Sequence, residues 1–208
     1  MNVKTSDEYL QIGVTEVWDA RHAEWAKKPN LSTFEQKSDW FEIRYSHLLP
    51  RPEIPSDGWV IDFGCGCGLY SVPLRRRFSH YVGVDTSLAA LQLAETYFAH
   101  TPDTVFLALE PNTVDLPLPD ARFDCAITIT CLQHLPIPRR LAAIQEIKRV
   151  LKPGGKYIGL EMMGNPQAAD MPPMSEIDWL EAWKPMKLVM DLSPDHPEWA
   201  NDNIWRSL

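Results

Sequence analysis

No stretch of this 208-residue chain is apolar enough for long enough to cross a bilayer, and its first residues, MNVKTSDEYLQ, have no apolar signal core. Those absences lead to the expectation of a cytoplasmic protein with no membrane contact. Basic charge is in deficit: 20 Lys and Arg stand against 28 Asp and Glu, a net charge of −8. A nucleic-acid surface needs a basic patch, so no nucleic-acid partner is expected. The run Arg75-Arg76-Arg77 reads as the solvated end of a helix. Cysteine is scarce at four. Cys65-x-Cys67 has neither C-x-x-C spacing nor a second pair to close a zinc site, so no metal is expected. These two read as small residues in a tight turn, and Cys125 and Cys131 as core. No Gly-Lys-Ser/Thr follows the glycine-rich turn, which excludes a P-loop. Tryptophan is missing from residues 60–178, although the chain has eight.

What is present centres on Trp59–Thr86, WVIDFGCGCGLYSVPLRRRFSHYVGVDT. An apolar run ends at Asp62. Gly64, Gly66 and Gly68 follow at alternate positions, then a helix pattern, then a second apolar run ending at Asp85. Strand, glycine turn, helix, strand and acidic residue suit an adenosine-containing ligand at the carboxyl ends of parallel strands. Glycine admits positive φ and close ligand approach. A turn of alternate glycines is therefore expected to face its N–H groups outward, with the next helix adding free donors. A carboxylate about 20 residues past the first glycine accepts ribose hydroxyls, and Asp85 stands at that spacing. Dinucleotide folds place the third glycine three positions after the second. Here that position is Leu69, which disfavours a nicotinamide-dependent oxidoreductase.

The D-x-G-x-G-x-G run resembles motif I of the class I S-adenosylmethionine-dependent methyltransferases, with Asp62, Gly64, Gly66 and Gly68 at the matching positions. Cys65 is common there, and Cys67 replaces a more usual Thr or Ser. Further segments match in order. PNTVDLPLPDARFDCAITITCLQHL, residues 111–135, resembles the run from the adenine contact into the fourth strand. Arg149-Val150-Leu151-Lys152-Pro153-Gly154-Gly155 resembles the turn before strand five. The nearest likeness is to the small-molecule, type 11 methyltransferases. The resemblance implies S-adenosyl-L-methionine as cofactor and a small-molecule methyl acceptor. It also implies cofactor contacts from Asp62, Gly64, Cys65, Gly66, Gly68, Asp85, Thr86, Asn112, Thr113 and Thr130. Asp62 would brace the turn and the methionine amino group. Asn112 stands where relatives often carry Asp, with an oxygen that accepts from the adenine amino group but brings no charge. The Thr113 N–H would reach the adenine ring, and the Thr130 carbonyl the amino group.

The fold class expected is α/β: a doubly wound, mostly parallel seven-stranded sheet with right-handed crossovers. Strands are predicted near 59–63, 81–85, 104–108, 124–130 and 156–161, with helices near 69–78, 87–99 and 138–151. Helical spacing also covers 7–28 and 33–49. The tail predicts a helix at 175–183, a sixth strand at 186–192 and a short seventh at 203–207. The chain is read as one domain: a helical cap over 1–55, a cofactor core over 56–161 and a substrate-side edge over 162–208. Thr86 or Ser87 is expected to cap the helix that follows.

Methyl transfer from a sulfonium is an in-line displacement in which the enzyme aligns the acceptor and excludes water. A hydroxyl or ammonium acceptor also needs a base. His134, just past strand four, is the leading catalytic candidate. His22, His47 and Glu161 are weaker ones, with Glu161 expected to face the pocket. Trp18, Trp40 and Tyr45 are lid candidates. The place after strand four reads Thr130-Cys131-Leu132-Gln133, not N/D-P-P-Y/F, which disfavours amino-nitrogen transfer to DNA or protein glutamine. Two other readings stay open: a non-catalytic cofactor-binding subunit, and another nucleoside-dependent transferase on the same fold. The acceptor and the oligomeric state are left open by the sequence.

Overall fold

The computed structural model describes residues 14–27, 54–98, 100–161, 174–186, 190–191 and 206–207. Five parallel strands form its centre: β1 Trp59–Phe63, β2 His80–Asp85, β3 Thr104–Ala108, β4 Phe123–Ile129 and β5 Leu151–Leu160. Two short pieces, β6 Met190–Asp191 and β7 Arg206–Ser207, extend the edge in the order β3-β2-β1-β4-β5-β7-β6. β7 runs antiparallel to both neighbours.

The strand sequences are near-continuous apolar runs because helices cover both faces. Alternate residues go to opposite sides. Ile61, Val82, Ala126 and Tyr157 join one core with Ile144, Ile147, Trp179 and Trp183. Val60, Tyr81, Cys125 and Ile158 join the other with Leu74 and Phe78. The register sets Val60 beside both Tyr81 and Cys125. The chain moves outward through β1, β2 and β3 and then returns to place β4 beside β1. That reversal opens a crevice at the carboxyl ends of β1 and β4, where ligands bind in such sheets.

The helices are α1 Val14–Ala26, α2 Ser71–Arg75, α3 Leu88–Phe98, α4 Ile137–Val150 and α5 Glu176–Trp183. Ser87 caps α3, its Oγ accepting from the Ala90 N–H at 3.1 Å. α4 buries Ala143, Ile144, Ile147 and Val150, one helical face. α5 starts at Ser175, whose side chain accepts from the Asp178 N–H. Its Trp183 stacks on Tyr157 with ring centroids 3.6 Å apart. Trp179 and Trp183 are therefore core residues and stand away from the crevice. Trp59, at the opposite end of β1, stacks on His80.

Three expectations change here. α2 is five residues long, shorter than the predicted 69–78, because Pro73 lies inside it and the chain turns at Arg76. β5 begins at Leu151 rather than 156: Leu151 already pairs with Phe123, and an irregularity follows before Lys156 pairs with Cys125. The arginine run is not a solvated end. Arg75 donates to the carbonyls of Pro102 and Phe78, and Arg77 to those of Pro55 and Ile54. Both lace loops together, and Arg76 alone of the three is exposed. The predicted helix over 33–49, with Trp40, Tyr45 and His47, lies outside the described residues.

Candidate functional site

A cavity of about 210 Å³ opens at the strand reversal. Its floor is the glycine turn, Phe63 to Cys67. Asp85 and Thr86 close one side, Leu109 with Asn112, Thr113 and Val114 the next, and Ile129 to Cys131 with His134 and Leu135 the third. Thr15, Trp18 and His22 of α1 cover it.

The glycine turn differs from expectation in where its donors go. The N–H groups of Gly64 and Cys65 both donate to the Val84 carbonyl, at 2.8 and 3.1 Å. The Gly66 N–H donates to Asp85 Oδ2 at 2.8 Å, and the Gly68 N–H to the Cys65 carbonyl. These N–H groups point into the protein, not outward. α2 adds little: Ser71 N–H donates to the Gly68 carbonyl, Leu74 N–H to that of Tyr70, and Pro73 has no N–H. The donors of Gly64, Cys65, Gly66 and Gly68 are thus engaged within the protein. The turn does allow close approach, because Gly64 and Gly66 have φ of +77° and +53°. A Cβ on Gly64 would lie 2.7 Å from that of Cys131, so the turn packs directly on the loop after β4.

Asp85 pins this turn. Its Oδ2 takes the Gly66 N–H and its Oδ1 the Ser87 N–H, both at 2.8 Å. A carboxylate has about four lone-pair positions, which leaves room for a ligand hydroxyl. Burial raises its pKa, and backbone donors from Ser87, Gly66 and Thr86 oppose that rise.

Two expected site residues do not line the cavity. Asp62 is 1 % exposed, beneath the turn, where it accepts from the Tyr81 hydroxyl at 2.8 Å. Gly68 packs instead on Phe106 and Ala94. Both shape the turn from behind. Gly64, Cys65, Gly66, Asp85, Thr86, Asn112, Thr113, Thr130 and His134 all line the one cavity. The four cysteines are free thiols. Among the described residues no group of three or more His, Cys, Asp or Glu could hold a metal, and no helix is long and apolar enough to cross a membrane.

Polar groups from α1 meet the far end of the cavity. The Thr15 hydroxyl donates to Thr86 Oγ1 at 2.9 Å and accepts from the Asn112 N–H at 2.9 Å. Asn112, at φ +58°, takes Arg139 on its oxygen at 3.1 Å and gives its amide to Glu16 at 3.2 Å. The Thr113 N–H donates to the Glu110 carbonyl at 3.1 Å. Its expected adenine contact would have to share that donor.

At the other end, His134 sits in a short 3-10 turn, Leu132–His134. Trp18 meets its ring edge-on at 5.0 Å. The turn is held by two buried charges. Glu161 accepts from the N–H groups of Cys131 and Gln133 at 3.2 and 3.0 Å. Arg140 donates to the carbonyls of Gln133 and Leu135 at 2.8 and 3.1 Å. Each is 2 % exposed. Glu161 thus faces backbone rather than the pocket, contrary to expectation.

The sequence profile of the family described as "Methyltransferase domain" matches residues 60–155, the segment that builds the glycine turn, Asp85 and the loop after β4. This segment is a class I S-adenosylmethionine-dependent methyltransferase domain.

Relatives agree with that placement. A ubiquinone biosynthesis O-methyltransferase from Alkalilimnicola ehrlichii is 34% identical over 112 residues, 52% of this chain and 43% of that one. A demethylmenaquinone methyltransferase from Symbiobacterium thermophilum is 35% identical over 163 residues, 75% of this chain and 61% of that one. The chain thus spans about half the length of the curated relatives it matches. The fold is shared with geranyl diphosphate C-methyltransferase from Streptomyces coelicolor, solved with geranyl diphosphate and S-adenosyl-L-homocysteine. Its TM-score is 0.60 at 19% identity, over 79% of this chain and 64% of that one.

Thr15, Tyr70 and Arg139 also line the cavity, although the sequence carries no functional signal for them. No motif contains them. Thr15 is bound there to Thr86 and Asn112, and Arg139 to Asn112, which are contacts between distant segments.

Proposed function

We propose that this chain transfers the methyl group of S-adenosylmethionine to a small, largely apolar acceptor. The observation that carries this is the glycine turn: it is open to close approach, its N–H groups are turned inward, and the Asp85 carboxylate stands at its edge. Such a site suits a nucleoside carrying a sulfonium. S-adenosylmethionine, when bound, supplies an electrophilic methyl carbon. Asp85 accepts from its ribose hydroxyls, the turn from Gly64 to Gly66 lies along its amino-acid portion, and Asn112 with Thr113 borders its base.

The acceptor side is formed by Trp18, Leu69, Tyr70, Ile129 and Leu135, an apolar wall that suits a ring or chain. Quinone-pathway names among the relatives support a ring acceptor. Trp18 and the rest of α1 exclude water from the reacting centre. His134 is positioned to hold the acceptor's proton where the acceptor is a hydroxyl.

Calorimetry with S-adenosylhomocysteine tests the cofactor half, and a turnover screen of phenols and hydroquinones with isotope-labelled S-adenosylmethionine tests the acceptor half. Binding with turnover of a phenolic acceptor is expected. Binding without turnover would favour a non-catalytic subunit, and absence of binding would remove the whole reading. Asp85→Ala is expected to weaken S-adenosylhomocysteine binding by about 1–3 kcal/mol through loss of charge-assisted hydrogen bonds.

A further inference from the structure

We propose that Arg139 of α4 is a cofactor-binding residue whose guanidinium donates a hydrogen bond to the base, at a ring nitrogen beside the base's amino group. This rests on the reading that the cavity takes an adenosyl cofactor with its base at Asn112.

The first argument is position. Asn112 and Thr113, the residues expected to meet the base, come from the connection after β3. Arg139 comes from the first turn of α4, beyond the loop after β4, and lines the same cavity. Its Nη1 lies 3.1 Å from Asn112 Oδ1, so α4 delivers the guanidinium to the Asn112 corner.

The second argument is the supply of donors at that corner. The Asn112 N–H is given to Thr15 Oγ1 at 2.9 Å, and the Thr113 N–H to the Glu110 carbonyl at 3.1 Å. The Asn112 amide nitrogen lies 3.2 Å from both Glu16 oxygens. A guanidinium carries five N–H donors in a rigid plane. Among the described residues Arg139 places one of them, on Asn112, and forms no ion pair. It is half-buried, so a cation with donors to spare stands at the wall of the cavity.

The third argument is the pattern presented to a ligand. Arginine can only donate, and an ionised carboxylate can only accept. Arg139 and Glu16 therefore fix the Asn112 amide, oxygen toward Arg139 and nitrogen toward Glu16. Glu16 is exposed and does not line the cavity, whereas Asn112 and Arg139 do. What faces the ligand is an acceptor, Asn112 Oδ1, with guanidinium donors at its side. That oxygen also meets the Thr15 N–H, at a longer 3.4 Å. Adenine offers the complementary pair, an amino donor beside a ring-nitrogen acceptor. The nitrogens placed beside the amino group are N1 on one edge and N7 on the other, so N3 is excluded.

The experiment is calorimetric titration of wild type, Arg139→Met and Arg139→Lys with S-adenosylhomocysteine and with its 1-deaza, 3-deaza and 7-deaza forms. Arg139→Met is expected to weaken S-adenosylhomocysteine about 10- to 150-fold, the range of one hydrogen bond from a charged donor. The 3-deaza form is expected to show the same loss. Against either the 1-deaza or the 7-deaza form the substitution is expected to change nothing, because the acceptor is already gone. Arg139→Lys, which keeps a charged donor, is expected to recover part of the loss. An unchanged affinity for Arg139→Met would overturn the assignment, as would a loss that vanishes only with the 3-deaza form. An equal loss against all four ligands would also overturn it, since that is what a guanidinium that merely holds Asn112 would give. Wild type that binds none of the four would overturn it together with the cofactor reading, whereas wild-type binding with indifferent variants would leave that reading standing.

Discussion

Asp62 is the carboxylate that water reaches least at this site. Burial, with a smaller push from the Asp85 charge, raises its pKa to about 7, against the opposing bond from the Tyr81 hydroxyl. The folded protein therefore holds this proton more tightly than the unfolded chain, where the group titrates near 3.8. Its stabilising contribution is complete below that value and is lost as pH rises through about 7. Asn in its place cannot ionise and keeps an oxygen for Tyr81. Urea unfolding is expected to show wild type losing stability relative to Asp62→Asn between about pH 4 and pH 7, by on the order of 3–4 kcal/mol. Parallel pH profiles for the two proteins would show that Asp62 ionises as an ordinary carboxylate. Motif I identified Asp62 as important, but its role is under the turn. A sequence does not show that the Tyr81 hydroxyl, one strand away, has already claimed it.

At the scale of elements, the 3-10 turn carrying His134 depends on a clamp. Glu161 binds its N–H groups and Arg140 its carbonyls, so a segment with no ladder partners has its backbone satisfied. Burial pushes the Glu161 carboxyl up and the Arg140 guanidinium down; the Glu161 charge supports Arg140, and backbone N–H groups with the Thr128 side chain support Glu161. Removing Arg140 strips the Gln133 and Leu135 carbonyls of their charged donor. Arg140→Met is expected to cost about 2–4 kcal/mol in urea unfolding. Combined with Glu161→Gln, the loss is expected to fall short of the sum by at least about 1 kcal/mol. Strict additivity would show that the two side chains act apart. The strands and longer helices were legible because apolar runs and glycine or proline breaks are local signals. α4 was predicted to within a residue of its start. The clamp was not legible, since Arg140 sits in an ordinary helical stretch and Glu161 follows a strand. Their meeting depends on β5 lying beside β4. For the same reason Arg139 was invisible while its partner Asn112 was anticipated.

Across the whole molecule the parts differ in what holds them. The sheet is held by apolar burial on both faces: Val60, Ile61, Val84, Ala126 and Ile127 are almost wholly removed from water. α1 is held differently. Among the described side chains of that helix, Val17 is the one hydrophobic in the buried core, Trp18 packs edge-on against His134, and the other anchors named here are polar. Thr15 bonds Thr86 and Asn112, Glu16 bonds Asn112, and Asp19 bonds Ser87 and Ala89. A net contribution of about 1 kcal/mol for each such bond makes α1 easier to detach than the central strands β1 and β4. Its partners Thr86, Ser87 and Asn112 surround the proposed adenosyl site, so ligand binding and α1 docking draw on the same residues. Hydrogen exchange is expected to find α1 amides opening at least about 100-fold more often than those of β1 and β4 in the free protein, a gap of roughly 2.7 kcal/mol. If the docked helix is what binds S-adenosylhomocysteine, ligand at 100 times its dissociation constant adds up to about 2.7 kcal/mol to the docked state. Protection of α1 then rises by as much as about 100-fold. Faster α1 exchange in the presence of ligand would mean instead that the helix must leave for the cofactor to enter, and that Thr15 and Glu16 compete with the cofactor for Thr86 and Asn112.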